Sequence, residues 1–158
     1  SDLVRTGYGV IFAQGSRARL LDHGVLRVAR GPSDPLPERL LRIAAGLEAL
    51  LDKHPVEVVA LEEAFFGKSV QSALRIGEAR GAVLVVAARR RLQVAQYAPA
   101  RVKKAVVGDG GAVKERVQEM VRIALGLAQP PRPVDASDAL AIALCHAFCG
   151  SHLGRLGL

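Results

Sequence analysis

The sequence predicts an α/β protein in which a mixed β-sheet is flanked by helices. Two observations support this fold class. Two β-prone runs come first, and helical and strand patterns then alternate along the chain before a final series of helices. The chain has 158 residues, of which 50% are hydrophobic, enough to bury one good core. We therefore expect a single domain spanning residues 1–158.

The first half of the chain contains patterns for a hairpin, a helix and a buried strand. Apolar, β-prone runs at residues 6–14 and 18–28 are separated by the turn-like sequence GSR. Leucine and isoleucine recur at helical spacing over residues 40–51 and predict the first helix. Residues 56–62, VEVVALE, are rich in valine and predict a strand buried on both faces. That strand ends in Glu62.

The second half of the chain is mainly helical by its pattern. Apolar residues fit a helix over about residues 69–91, and LQVAQYA at residues 92–98 predicts another strand. A short basic helix at residues 100–108 follows. Helical spacing then predicts two more helices, at residues 113–125 and 135–149, separated by a proline-rich link.

The charge of the chain favours a polyanionic partner. The formal net charge is +7 and the sequence pI is about 10.1, so nucleic acid is the first candidate, although many basic proteins are simply kept soluble by their charge. No apolar run reaches the roughly 18 residues of a membrane span, and the start of the chain lacks a secretion signal. We expect a soluble, cytoplasmic protein. Cys145 and Cys149 are expected to be structural free thiols.

Two aspartates occur where the last helical pattern begins. Asp135 and Asp138 are three residues apart, so they share one face of the first turn of a helix. One interpretation is helix capping, with Asp135 as N-cap and Asp138 complementing the helix dipole. The other is a metal site, which needs further acidic residues nearby.

Glu62 is the candidate for that further acid. It ends an apolar strand, and ligands collect at the carboxyl ends of strands in α/β sheets. Glu62 and Glu63 could instead simply face water at the strand exit. If Glu62 lies beside Asp135 and Asp138, the three carboxylates repel one another unless a divalent cation binds among them. Oxygen ligands suit Mg²⁺ or Mn²⁺, and two such ions are suited to phosphodiester cleavage.

Four stretches of the chain resemble one known family. They read TGYGVI, ALEEAFFGKSVQSALRIGEARGA, YAPARVKKAVVGDGGAVKERVQEMV and DASDALAIALCHAF, and they run from Thr6 to Phe148. Their order and spacing are similar to those of RuvC, the family of bacterial Holliday-junction resolvases. The resemblance implies an RNase H-like fold, a homodimer, and paired metal-dependent nicks placed symmetrically across four-way junction DNA.

The active site of that family is a set of four carboxylates, and this sequence matches three of them. By resemblance, Glu62 in ALEE and Asp135 and Asp138 in DASDALAIA are the catalytic residues and bind two Mg²⁺ ions, with Mn²⁺ as an alternative. The fourth carboxylate, an aspartate of the family's first strand, is expected upstream of Ser1. Asp2 is too close to TGYG to take its place.

Aromatic and basic residues near the matched acids are candidate DNA contacts. The two phenylalanines after the glutamates could wedge between or stack on bases, although burial is the ordinary alternative. The lysines could bind phosphates and reduce the negative charge of the transition state, and two of them match lysines of the family. A lysine on a loop can equally be a solvated surface residue. The candidates are Phe65, Phe66, Lys68, Lys103, Lys104 and Lys114.

The sequence leaves two hypotheses for function. The first is a dimeric junction-cutting enzyme, which by resemblance cooperates with the branch-migration proteins RuvA and RuvB. The second is an RNase H-like protein that binds junction DNA without cutting it. Gly77 and Gly81, four residues apart on the second helix, allow close approach of a partner helix, although packing within the chain is the alternative.

Overall fold

The computed structural model describes residues 5–29, 31, 33–63 and 69–155 of the chain. The order of strands and helices confirms the predicted α/β class. In chain order they are β1 Arg5–Gln14, β2 Arg17–Arg27, α1 Leu36–Lys53, β3 Val58–Glu62, α2 Val70–Arg89, β4 Gln93–Tyr97, α3 Pro99–Val107, α4 Lys114–Ala124 and α5 Val134–Arg155.

The strands of the described residues pair two by two, β1 with β2 and β3 with β4. A tight turn at Gly15, which has a φ of 61°, joins β1 to β2, so this pair is the predicted antiparallel hairpin. The amide of Glu63 donates a hydrogen bond of 2.8 Å to the carbonyl of Tyr97, which brings the carboxyl ends of β3 and β4 together. These two strands, connected through α2, are therefore parallel. Both strand directions occur, and among the described residues they lie in two separate two-stranded sheets.

Backbone contacts divide the chain into two compact units, and the first is built on α1 and α2. Ile43 on α1 and Val86 on α2 are almost fully buried. The guanidinium of Arg90, just after α2, binds the carboxylates of Glu48 and Asp52 on α1, with 2.6 Å to Asp52. An apolar face and an ion-pair network thus join the two helices. The single domain expected from the chain length stays a prediction.

The second unit is built on α3, α4 and α5, and α5 supplies more of its buried residues than either of the other two helices. Small and branched apolar residues face inward along α5, so α3 and α4 can pack closely against it. α3 ends at Gly108, whose φ of 92° is easily adopted by glycine and which donates to the carbonyl of Lys104 at 2.8 Å. The buried residues of α5 include Ala136, Leu140, Ala141, Leu144 and Cys145.

The two cysteines are free, as expected from the sequence. Cys145 and Cys149 are free thiols, and Cys145 is completely buried in the core. Across the described parts of the chain, none of the helices combines the length and the apolar character needed to cross a membrane.

Candidate functional site

Glu62 is the last residue of β3, and the neighbouring strand holds this end of β3 in place. The apolar run before it forms the strand, and the Glu63 amide that follows is bound to the carbonyl of Tyr97 in β4. Both glutamates retain exposed surface. The sequence prediction that an acid ends this strand is confirmed.

Asp135 and Asp138 lie on the first turns of α5. The helix begins at Val134, so Asp135 is its second residue, and the sequence interpretation of Asp135 as the N-cap is wrong. The amide of Ala136 already donates to the carbonyl of Pro133 at 2.9 Å, which explains the earlier start. Both acids still lie at the positive end of the helix dipole. The side chain of Asp138 is 48% exposed.

A cavity of about 270 Å³ lies where β3, α3, α4 and α5 meet in the second unit. Each of these elements contributes one charged side chain to its lining: Glu62, Lys103, Lys114 and Asp138 respectively. The rest of the lining is apolar and includes Val102 and Val117, both buried. Two acids and two bases therefore share one apolar-walled cavity.

The charges of this cavity act on one another. Burial, and then the negative charge of Asp138, raise the pKa of Glu62 above its ordinary range, while Lys103 and Lys114 oppose that shift. The Nζ atom of Lys114 lies 3.4 Å from Oδ2 of Asp138, in a pair whose side chains are both about half exposed. The ionised Glu62 is thus disfavoured in the folded chain, and a further cation beside it would stabilise it.

The predicted site residues differ in where the structure places them. Glu62, Asp138, Lys103 and Lys114 converge on the cavity, whereas Asp135 is not part of its lining. Within the described ranges, no three His, Cys, Asp or Glu side chains are grouped closely enough to hold a metal ion. Mutual repulsion disfavours such a group unless a cation is bound. The assignment of Asp135 as a ligand stays a prediction.

Of the other candidate DNA contacts, one does not line the cavity and three lie outside the described residues. Lys104 is exposed on α3 but does not line the cavity. Phe65, Phe66 and Lys68 lie in the segment between Glu63 and Ser69, outside the part of the chain that the structure describes.

A larger cavity, of about 410 Å³, is present in the first unit. Residues of α1 and α2 line it, and its charged residues carry both signs. None of the site residues predicted from the sequence belongs to it. The smaller cavity is the candidate site, because four of those residues converge there.

A polar contact in the second unit was not predicted from the sequence. The hydroxyl of Tyr97, at the end of β4, lies 2.6 Å from Nδ1 of His146 on α5. Tyr97 is buried, and burial lowers the pKa of His146 below its ordinary value. A tyrosine that ends a buried strand needs a hydrogen-bond partner, and this requirement was the one available sequence signal.

The chain has clear relatives among characterised proteins. The sequence model of the family described as "Crossover junction endodeoxyribonuclease RuvC" matches residues 2–146. A protein of that name from Chloroflexus aggregans is 48% identical over 152 residues, which covers 96% of this chain and 92% of the relative. Another, from Moorella thermoacetica, is 46% identical over 141 residues, covering 89% of this chain and 83% of the relative.

Solved structures agree with the sequence comparison. RuvC of Thermus thermophilus is similar with a TM-score of 0.87 and 42% sequence identity, and the match covers 95% of this chain and 91% of that one. A structure of T. thermophilus RuvC in complex with a Holliday junction substrate also gives a TM-score of 0.87, at 44% identity, covering 92% of this chain and 88% of that one. The RNase H-like fold expected from the sequence is confirmed. The family consists of metal-dependent nucleases. This chain belongs to the RuvC family of crossover junction endodeoxyribonucleases.

Proposed function

We propose that this chain is a structure-specific endodeoxyribonuclease that resolves four-way DNA junctions by paired, symmetric, metal-dependent nicks. Recombination and repair of bacterial DNA in the cytoplasm are the processes that need this activity. The observation that carries the proposal is the convergence of Glu62 and Asp138 with two lysines on one cavity, in a chain of this family. The similarity to a RuvC structure that contains a Holliday junction substrate supports junction DNA as the ligand.

The acidic residues fit a divalent metal by their chemistry. Carboxylate oxygens are hard ligands of the kind that Mg²⁺ and Mn²⁺ prefer. The pKa of Glu62 is raised by burial and by Asp138, so a cation would relieve a repulsion that the folded chain contains. Glu62 and Asp138, with Asp135 one turn earlier on α5, are the residues that would hold it. When bound there, two Mg²⁺ or Mn²⁺ ions supply Lewis acidity to both sides of a phosphodiester bond.

The lysines of the cavity are suited to the DNA backbone. Lys103 and Lys114 lie on different helices and flank the acids, so each can bind a phosphate oxygen beside the bond that is cut. Their charge also stabilises the additional negative charge of the transition state. Lys104 is exposed on the same helix as Lys103 and can contact a neighbouring phosphate.

Residues between Glu63 and Ser69 are proposed as further DNA contacts on the basis of the sequence. Phe65 and Phe66 follow the glutamates directly and would stack on or wedge between bases at the junction centre. Lys68 would bind a phosphate nearby. Substitution of either phenylalanine by alanine should weaken cleavage of four-way junctions, and an unchanged cleavage rate would remove that residue from the proposal.

A homodimer would provide the second nick. On α2, Val70, Leu74 and Val85 are 79%, 61% and 58% exposed and lie on one stripe of the helix with Gly77 and Gly81. A side-chain carbon added at either glycine would meet no described atom within 4 Å, so a second helix could approach closely. Cooperation with RuvA and RuvB stays part of the proposal by resemblance alone.

Sedimentation velocity tests the dimer. Leu74→Glu should shift the protein towards monomer, because a charge on the stripe would be buried at the contact between subunits. Ile123→Glu, at a position 52% exposed on α4, is the matched control and should leave the sedimentation coefficient unchanged. Equal coefficients for both variants would exclude this face of α2.

Cleavage of a synthetic four-way junction tests the nuclease. The full-length protein with Mg²⁺ should nick two opposing strands symmetrically, leave 5′-phosphate and 3′-hydroxyl ends, and leave a linear duplex of the same sequence uncut. Asp138→Asn should lower the rate by more than about 100-fold while junction binding persists. Glu57→Gln removes an exposed carboxylate outside the cavity and should cut normally.

A junction-binding protein that does not cut is the second candidate function. It is favoured by one observation, the lack of three grouped ligands among the described residues. This alternative requires that the parent protein bind the junction but produce no nicks at any Mg²⁺ or Mn²⁺ concentration. Nicks that disappear with Asp138→Asn would exclude it.

A further inference from the structure

Tyr97 joins the end of β3 to α5 behind the candidate site. Its backbone carbonyl accepts the hydrogen bond from the amide of Glu63, so it fixes the chain next to Glu62. Its buried side chain reaches α5, where the hydroxyl lies 2.6 Å from Nδ1 of His146. One residue therefore connects the strand that carries one site acid with the helix that carries the other.

The protonation states of the two side chains allow the Tyr97 hydroxyl to donate this hydrogen bond to the imidazole. Burial lowers the pKa of His146, so its imidazole is neutral at neutral pH and Nδ1 can accept. Burial also raises the pKa of Tyr97, so its hydroxyl keeps its proton and donates. The two rings are tilted by 53° with their centroids 5.9 Å apart, so they also pack against each other. Because Tyr97 is buried and His146 is partly buried, breaking this bond would leave polar atoms with little access to water.

The site needs such a connection because its acids repel each other. Glu62 and Asp138 come from separate elements and line the same cavity, so their carboxylates repel each other when both are ionised. Without a bound cation, this repulsion favours movement of the end of β3 away from α5. His146 follows Asp138 by eight residues, about 12 Å along a rigid helix, so a bond at His146 also limits movement at Asp138.

We propose that Tyr97 and His146 are positioning residues that hold Asp138 at the distance from Glu62 at which both carboxylates bind the same divalent cation. This inference rests on the metal site of the proposed function. Neither residue is expected to touch the DNA or the metal. Their effect should appear first in metal affinity and only through it in cleavage.

Calorimetric titration of the full-length protein with Mn²⁺, without DNA, measures that affinity directly. Tyr97→Phe and His146→Leu each remove one partner of the hydrogen bond and should weaken Mn²⁺ binding about 10-fold, as is usual when a residue that orients a metal ligand is lost. His146→Asn keeps an acceptor close to the position of Nδ1 and should retain most of the affinity. The double variant Tyr97→Phe/His146→Leu should be no weaker than either single variant, because all three lack the same bond.

A core substitution distinguishes positioning from general destabilisation. Ile43→Val removes one methylene group from the buried core of the first unit and should leave the Mn²⁺ affinity unchanged. In junction cleavage, Tyr97→Phe should need more metal for half-maximal rate but reach nearly the parent rate at saturation.

Two results would overturn this inference but leave the proposed function standing. One is equal Mn²⁺ affinity in Tyr97→Phe and the parent protein, and the other is a loss of Mn²⁺ affinity in Ile43→Val as large as that in Tyr97→Phe. A parent protein that binds no Mn²⁺ would instead refute the metal site of the proposed function, and the positioning role with it.

Discussion

Replacing Arg91 with glycine is expected to stabilise the protein. Arg91 follows the C-cap of α2 and has a φ of 56°, a left-handed conformation that residues with a Cβ rarely adopt. Two hydrogen bonds hold it there: its own amide donates to Ala88 at 3.0 Å, and that of Leu92 donates to Ala87 at 2.9 Å. This pairing is the Schellman motif, in which glycine is the usual residue at this position.

The size of the gain follows from two opposing terms. The left-handed conformation costs a residue with a Cβ about 1–2 kcal/mol, which glycine avoids. Glycine in turn loses more backbone entropy on folding, about 0.5–1 kcal/mol. The free energy of unfolding should therefore rise by up to about 1.5 kcal/mol, and for a chain of this length the melting temperature should rise by up to about 6 °C.

Thermal denaturation with a matched control tests this reasoning. Arg89→Gly is the same substitution two residues earlier, at the last helical residue of α2, where it should lower stability by about 0.5–1 kcal/mol. Opposite signs for the two variants are the expected result. If Arg91→Gly also lowers the melting temperature, the guanidinium of Arg91 stabilises the fold by more than the backbone conformation costs, and the argument from φ is refuted.

Three further predictions concern the second unit. Glu62→Gln should raise the melting temperature in metal-free buffer, because burial and Asp138 raise the pKa of Glu62 and make its ionised form unfavourable. The gain in melting temperature should shrink as the pH falls through that pKa towards 4.5. A gain that does not depend on pH would contradict this cause. Burial lowers the pKa of His146, so stability should decline as the pH falls below 6.5 towards that lower pKa. In calorimetry, His146→Phe should lack this part of the dependence of stability on pH. The same pH dependence in both proteins would show that another group causes it. Leu140→Ala, at a fully buried position of α5, should lower the free energy of unfolding measured in urea by about 2–5 kcal/mol. Ile123→Ala, at a half-exposed position of α4, should lower it by no more than about 0.5 kcal/mol. Similar losses in the two variants would contradict the burial of Leu140.

The elements that carry the site acids could be predicted because each has a local signature. A valine-rich run that ends in two glutamates is recognisable without any tertiary information, and β3 indeed ends at Glu62. The apolar spacing that follows Asp135 and Asp138 likewise predicted α5. The errors lie at the ends: α5 begins at Val134, one residue earlier than predicted. Helix ends depend on a few backbone hydrogen bonds that the side-chain pattern does not determine.

The contacts that the sequence did not predict depend on distant parts of the chain. Tyr97 and His146 are 49 residues apart, and nothing near either residue indicates the other. The left-handed conformation of Arg91 is unexpected for a different reason, since glycine is the residue that normally signals it. The two backbone hydrogen bonds after α2 hold Arg91 in that conformation although it has a Cβ. Lys103 and Lys114 were selected from the sequence as candidate phosphate contacts, but only the fold shows that both line one cavity with Asp138.

Packing of α5 restricts rotation of Asp138 about the helix axis, whereas the hydrogen bond between Tyr97 and His146 restricts its movement along the axis. Ser137 and Leu140 are almost fully buried on either side of Asp138. Rotation of α5 by one residue, about 100°, would bury the carboxylate and expose leucine, so the apolar face fixes the helix rotation. Sliding along the axis is resisted less, because neighbouring apolar side chains can exchange contacts with little loss of burial. A directional hydrogen bond of 2.6 Å between Tyr97 and His146 does resist sliding. The carboxylate is therefore aimed by hydrophobic packing, and in the proposed positioning role the hydrogen bond between Tyr97 and His146 adds a restraint on its separation from Glu62.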